Sequence, residues 1–255
     1  MSEIILSKRL AAIAGWVPAG SRVADIGSDH ALLPCAMAEQ GQVSYALAGE
    51  LNEGPFQAAS KQIRSSGLSA IVEARKGDGL AVIEASDAIE VITISGMGGA
   101  LISHILTEGA SKLTNVRRLV LQPNVGEDHV RRWLVANDWL LLDEQILEED
   151  GKYYEVLVAE RAGHVAAKNE SLYTSRKMCN LEISRERLLQ MGPYLIERAG
   201  EVYLAKWTYE IGKLRKVITE LQHSTREEAK ERTATFQEEL DEMEAILTCL
   251  QTVKP

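Results

Sequence analysis

Four short stretches carry residue types that could do chemistry, and each closes an apolar run. Val23-Ala24-Asp25-Ile26-Gly27-Ser28-Asp29-His30 reads as a strand ending in an acid, a glycine turn, and the opening of a helix over Ala31 to about Gln40. Tyr45 to Glu50 is a second apolar run that ends in an acid, 25 residues after Asp25. Ala70 to Arg75 leads into Lys76-Gly77-Asp78-Gly79. Ile89 to Ser95, near-continuously apolar as a parallel strand covered on both faces should be, runs into Gly96-Met97-Gly98-Gly99. Open parallel sheets bind ligands beyond the carboxyl ends of their strands. A glycine turn before a helix brings backbone N–H groups close to an anion, and an acid about 20 residues on can accept from ribose hydroxyls. A nucleoside-type ligand is therefore expected across these four tips. The competing reading gives each acid to a helix cap or a loop ion pair and the octet to a plain strand–helix turn. One polar tip per strand, four times over, favours the ligand. The octet is not the dinucleotide fingerprint, because Asp29 and His30 stand where further glycines would be.

Positioning these tips requires alternating strands and helices. A helix from about Pro55 to Ser66, with Asn52 as N-cap, follows the second strand. Helices Ala100–Thr107 and Glu127–Asn137 flank a fifth strand, Arg118–Gln122. Trp139–Gln145 and Tyr153–Glu160, separated by Asp150-Gly151, read as an antiparallel hairpin at the sheet edge. Leu6, Leu10, Ile13 and Val17 share one face of a short packing helix ahead of the first strand. From about Thr174 the pattern is helices only. Leu204, Trp207, Ile211, Leu214, Ile218 and Leu221, then Thr233, Phe236, Leu240, Met243, Leu247 and Leu250, repeat the 3-4 spacing of two coiled-coil seams. Ser224 and Glu227 form a capping box between them. The expected domains are residues 1–165 and a helical hairpin over 166–255, which reads either as an RNA-binding arm or as a packing or dimerisation arm.

Composition narrows the function. The 255 residues are 45% hydrophobic and 25% charged, an ordinary globular balance. No apolar run is long enough to span a membrane. Lys8-Arg9 before Leu10–Val17 only faintly imitates a signal peptide. Cys35, Cys179 and Cys249 are odd in number and far apart, and with no C-x-x-C they suggest neither a disulfide framework nor zinc and suit a reducing cytoplasm. H-E-x-x-H and G-x-S-x-G are absent, so neither a metal nor a hydrolase elbow is expected. Residues 1–165 carry a net −8, residues 168–216 a net +4 and residues 217–255 a net −5. The middle block is the only basic one.

An α/β layout with acids at the first two strand tips and a terminal hairpin resembles the Rossmann-like sheet of class I S-adenosylmethionine-dependent methyltransferases. More narrowly, the chain resembles the bacterial tRNA (adenine-22-N1)-methyltransferase family. The carrying motifs are L-S-K-R-L (Leu6–Leu10), A-D-I-G-S-D-H-A-L-L-P (Ala24–Pro34), the Gly49–Pro55 stretch, G-D-G-L (Gly77–Leu80), I-S-G-M-G-G (Ile94–Gly99) and L-Q-P-N (Leu121–Asn124). G-D-G-L alone is weak; the D-I-G-S-D-H and S-G-M-G-G pair in order is strong. The N/D-P-P-Y/W motif of exocyclic-amine methyltransferases is missing at the fourth strand, which lowers the odds of N6 chemistry.

The resemblance implies roles. S-adenosylmethionine would lie against Asp25, Gly27, Asp29 and His30 with its methionine part. Its ribose would meet Glu50 beside Leu51 and Asn52, its adenine Asp78 beside Gly79, and its sulfonium the floor of Ser95, Gly96, Met97, Gly98 and Gly99. Asp29, partnered by His30, is the expected stabiliser of the cationic N1-methyladenine product. The tRNA would be held by Lys8, Arg9, Gln122, Pro123 and Asn124. Because an acidic catalytic domain does not attract phosphates, the charge distribution itself gives much of the RNA grip to the basic block, Lys168, Arg176, Lys177, Arg185, Arg187, Lys206, Lys213, Arg215 and Lys216, joined by Arg131 and Arg132; the competing reading for each is a solvated helix face. The protein is expected to be a cytoplasmic monomer, with the coiled coil as a route to a dimer. The alternatives are a methyltransferase acting on a protein or small molecule, and a non-catalytic nucleoside-binding module whose coiled coil holds a partner.

Overall fold

The apolar runs pair into a seven-stranded sheet. The computed structural model describes residues 4–161, 165–223 and 227–252. Its strands are β1 (Ser21–Ile26), β2 (Val43–Glu50), β3 (Val72–Lys76), β4 (Val91–Gly98), β5 (Arg118–Val125), β6 (Leu140–Glu149) and β7 (Lys152–Glu160). Their spatial order is β3-β2-β1-β4-β5-β7-β6. The first five are parallel, and β7 inserts antiparallel between β5 and β6. Asp150 and Gly151 both sit at positive φ (52° and 69°), as a tight two-residue hairpin turn requires.

Helices α1 (Lys8–Gly15), α2 (Leu32–Glu39) and α3 (Glu53–Ser65) bring Ile13, Leu33, Met37 and Ile63 into one cluster with Val23, Ala46, Val72, Val120 and Val158 of the sheet. Alternation along the strands leaves the buried Leu47, Ile92, Ile94, Leu119 and Leu121 for the other face. There α4 (Gly99–Glu108) and α5 (Glu127–Ala136) pack on β4, β5 and β6. Helix α1 runs opposite to the parallel strands. The N–H groups of Lys8 and Arg9 donate to the Glu149 carboxylate at the carboxyl edge, while the Trp16 carbonyl accepts from Arg118 at the start of β5.

The chain divides into two compact units, Met1–Leu172 and Tyr173–Pro255. Helix α6 (Val165–Leu172) closes the first unit. The second is not all helix. A small hairpin, β8 (Arg176–Met178) with β9 (Leu181–Ile183), precedes α7 (Arg185–Met191), α8 (Pro193–Glu197), α9 (Glu201–Gln222) and α10 (Glu227–Thr252). Three-residue strands carry too little alternation to register as strands in the sequence. Along α9 the expected seam is buried at Trp207, Ile211 and Ile218, and along α10 at Leu240, Met243, Leu247 and Leu250. Arg215 of α9 pairs with Glu244 of α10 at 2.8 Å. Ser224 of the expected capping box lies outside the described residues.

The cysteine reading is overturned: Cys179 and Cys249, 70 positions apart in the chain, form a disulfide with Cα atoms 5.8 Å apart, and Cys35 is free and buried. Spacing in the chain says nothing about this pair, because the hairpin turn and the end of α10 meet only in the folded unit. Among the described residues no helix is long and apolar enough to cross a membrane, and no group of three or more His, Cys, Asp or Glu could hold a metal.

Candidate active site

The turn after β1 is tied to the tip of β2. The N–H groups of Gly27 and Ser28 both donate to the Gly49 carbonyl, at 2.9 and 3.3 Å. Gly27 has φ +68°, a conformation that favours glycine, and a Cβ there would lie 2.1 Å from Met97 Cε, so the Met97 side chain of the β4 tip lies against the β1 turn. Asp29, His30 and Ala31 follow at φ 38°, 66° and 55°. Three successive non-glycine residues in the left-handed region cost on the order of 1–3 kcal/mol each and persist only where the surroundings hold them. The holding group is Glu50, whose Oε1 accepts the Asp29 N–H at 2.5 Å. Helix α2 starts directly afterwards, with the unpaired N–H groups of its first turn at the loop.

Glu50 is only 6% exposed. Burial pushes its carboxyl above the ordinary range; the Asp29 N–H pulls it back, and the Asp29 and Asp25 charges push it up again. Its Oε2 carries no hydrogen bond among the described residues, so an acceptor is left open at the tip of β2. The Gly77 N–H donates to the Glu50 carbonyl at 2.9 Å, which places the exit of β3 beside that of β2. Asp78 follows, exposed and without a capping bond at the head of a 3-10 turn over Gly79–Val82. Asn52 heads α3 but makes no capping bond either, and Leu51 beside it is 55% exposed. Open acceptors and an apolar side chain at adjacent strand exits suit a ribose diol and a purine.

Asp25 is interior. Ser28 Oγ and Thr93 Oγ1 each donate to one of its oxygens at 2.6 Å. Burial raises its pKa, against the two hydroxyls and the Arg9 charge. Asp25 thus fixes the β1 tip to β4, and Ser28 and Thr93 are site residues that the sequence reading missed. At the β4 tip, Ser95, Met97 and Gly98 are half-buried and Gly96 exposed. A Cβ on Gly99 would lie 1.9 Å from the Gly126 carbonyl oxygen, so this tip rests directly on the turn before α5. The Asp29 and His30 side chains stand 84% and 61% exposed, with Oδ1 and Nε2 3.5 Å apart.

Several expected tRNA contacts are corrected. Gln122 is fully buried: its Oε1 accepts from Arg9 Nη1 (2.8 Å) and the Gly96 N–H (3.1 Å), and its Nε2 donates to the Pro123 carbonyl and Asn124 Oδ1. Pro123 is buried too, and of this trio only Asn124 is exposed, its Nδ2 donating to the Gly96 carbonyl at 2.7 Å. Arg131 has no exposed surface and is clamped between Glu144 and Glu155, both buried. Arg187 is 7% exposed and pairs with Glu239 and Glu242, and Lys206 is equally buried, over the Trp207 ring. Their helix positions explain this: Arg131 is three residues before Leu134, Arg187 four before Met191 and Lys206 three after Tyr203, all core positions. Other basic groups are engaged but reachable: Arg132 with Asp128, Arg176 with Glu197, Lys213 with Glu210, Arg215 with Glu244, and Arg185 over the Tyr173 ring. Lys8, Lys168, Lys177 and Lys216 are exposed.

The mostly parallel sheet agrees with what comparison finds. A model of the TrmK family, tRNA (adenine(22)-N(1))-methyltransferase, matches residues 23–245. The chain belongs to this family. It is 47% identical over 211 residues, 83% of each chain, to the tRNA (adenine(22)-N(1))-methyltransferase of Bacillus subtilis. The crystal structure of the B. subtilis M1A22 tRNA methyltransferase superposes with TM-score 0.84 at 39% identity, covering 96% of this chain and 100% of that one. A Streptococcus pneumoniae structure in complex with S-adenosyl-L-methionine gives TM-score 0.79 at 36% identity, covering 95% and 100%. The protein is therefore a tRNA (adenine-N1)-methyltransferase with a class I α/β catalytic unit.

Proposed function

We infer that the enzyme binds S-adenosylmethionine across the tips of β1 to β4 and methylates N1 of adenine 22 in a tRNA, in the cytoplasm where that substrate resides. The observation that carries the reading is the open Oε2 of buried Glu50, one strand from Asp78 and bonded through Oε1 to the β1 loop. Glu50 accepts from the ribose diol, and Asp78 from the adenine amino group. The first-turn N–H groups of α2 face the methionine carboxylate, and the β4 glycines leave room at the reacting centre.

The bound cofactor supplies a methyl carbon activated by positively charged sulfur. Adenine N1 attacks with an in-plane lone pair, so the protein's part is mostly positioning. The new N–C bond leaves the adenine cationic, and a carboxylate nearby stabilises that charge. Asp29 is the proposed residue, with His30 beside it. A carboxylate this exposed acts weakly through water, so its effect depends on the tRNA covering the loop. N1 is also a base-pairing edge, so the target base must leave its stack. Exposed cations of the second unit, Lys177 and Lys216 among them, hold the tRNA backbone.

The test is incubation of the protein with unmodified tRNA and methyl-labelled cofactor, followed by nucleoside digestion. N1-methyladenosine is expected. Label on another base, or transfer to protein alone, overturns the reading.

A further inference from the structure

We propose that Arg9 binds a backbone phosphate next to the target adenine, and that Gln122 is the positioning residue that couples this grip to the β4 floor. The proposal rests on the methyltransferase reading above. Helix α1 is anchored with its first turn at the carboxyl edge: Glu149, held below its usual pKa by the Lys8 and Arg9 N–H groups against desolvation, clamps that turn. Arg9 then reaches over β5. Its Nη1 donates to Gln122 Oε1 at 2.8 Å, and its guanidinium lies 5.6 Å from the centre of the Tyr154 ring of β7. Nη1 also lies 3.7 Å from where a Gly96 Cβ would be. Only Nη1 has a hydrogen-bond acceptor among the described residues, which leaves Nη2 and Nε as free donors of a guanidinium fixed at the floor's rim.

Three arguments select a phosphate. The catalytic unit is acidic overall, so a fixed cation here is set against the trend. The guanidinium does not serve the reacting atoms, because both the sulfonium and the methylated adenine are cationic and would be repelled. Its place over β5 and β7 is also on the far side of β4 from Glu50 and Asp78, away from the ribose and adenine of the cofactor. A flipped nucleotide needs its backbone held while the base is out of the stack, and a guanidinium offers paired donors to phosphate oxygens. Gln122 then matters because one carbonyl oxygen accepts both Arg9 and the Gly96 N–H. A phosphate on Arg9 and the geometry of the Gly96 peptide are joined by that atom.

The test compares wild type with Arg9→Gln, Arg9→Lys and Gln122→Glu in the full-length enzyme. It measures cofactor affinity by calorimetry, steady-state methylation of tRNA, and the salt dependence of tRNA binding, with thermal unfolding as the control for folding. Arg9→Gln is expected to raise KM for tRNA about 10-fold or more, as loss of a charge-assisted contact does, and to reduce the slope of log affinity against log salt by about one, with cofactor affinity within about twofold. Arg9→Lys should keep the salt slope yet lower kcat, since an ammonium cannot bridge Gln122 and a phosphate in the same geometry. Gln122→Glu should lower kcat with KM for tRNA little changed. An unchanged KM and salt slope in Arg9→Gln overturns the proposal, as does a loss of cofactor affinity equal to that of tRNA, which would give Arg9 to the cofactor carboxylate. If wild type itself fails to methylate tRNA, the methyltransferase reading falls instead.

Discussion

The two units of the chain received charged residues in different ways. In Met1–Leu172 the acids sit at the exits of neighbouring parallel strands, where the topology leaves them little choice: an acid that ends a strand ends at the carboxyl edge. In Tyr173–Pro255 most of the cations lie on helices, where a shift of one residue moves a side chain by about 100° around the axis. Glu50 and Asp78 accordingly reach the shared edge, whereas Arg187 and Lys206 turn inward. Position in a strand constrains a site more tightly than net charge along a helix.

Substitutions can break this comparison, and the largest effect is expected inside the catalytic unit. Arg131→Ala leaves Glu144 and Glu155 as buried carboxylates without their shared cation, so it should destabilise the unit by about 3–5 kcal/mol, read as a large fall in melting temperature. A loss confined to tRNA affinity, with unchanged stability, would return Arg131 to the substrate surface. Next comes the second unit's own staple. The disulfide closes a 70-residue separation, and Cys179→Ser should lower stability by about 2–4 kcal/mol in denaturant unfolding while cofactor affinity stays constant. A reducing cytoplasm would act in the same direction, and a matching drop in cofactor affinity would show that the units do not respond separately.

The site residues give smaller effects. Gly99→Ala pushes a methyl group into the Gly126 carbonyl and should cost about 1–3 kcal/mol together with much of kcat. Glu50→Gln should weaken cofactor binding about 10-fold, as removal of a charged acceptor does. Its pH behaviour carries a sign. Because burial raises the Glu50 pKa, the carboxylate form is lost at a higher pH than for an ordinary glutamate. Affinity in wild type should therefore fall as pH drops through that raised value and hold above it, while Glu50→Gln should be flat over the same range. The smallest expected change is Lys216→Ala: a few-fold loss in tRNA affinity, a salt slope lower by about one, and no change in cofactor binding.

Much of the fold was legible because it repeats. Strands ending in glycine or acid, helices of 3.6-residue period and Asp150-Gly151 all signal locally. What escaped depends on contacts distant in sequence. Cys179 and Cys249 meet only after the hairpin and α10 are packed. Gln122 looks like a polar residue leaving a strand, yet the register that sets it opposite Ser95 buries it between α1 and the β4 floor. Ser28 and Thr93 give no pattern in the sequence, because small hydroxyls become necessary only where a buried carboxylate such as Asp25 needs them as donors. Arg131 carries the charge of a phosphate contact, yet its place between Val130 and Leu134 puts it on the covered face of α5.

Amide hydrogen exchange with and without S-adenosylmethionine tests the central claim most directly, that loops from neighbouring strand exits form one cofactor cavity. Slower exchange is expected together in residues 27–33, 50–52, 77–80 and 95–99, with 173–252 unaltered. Protection confined to one of these loops, or appearing in the helical unit instead, would contradict the account.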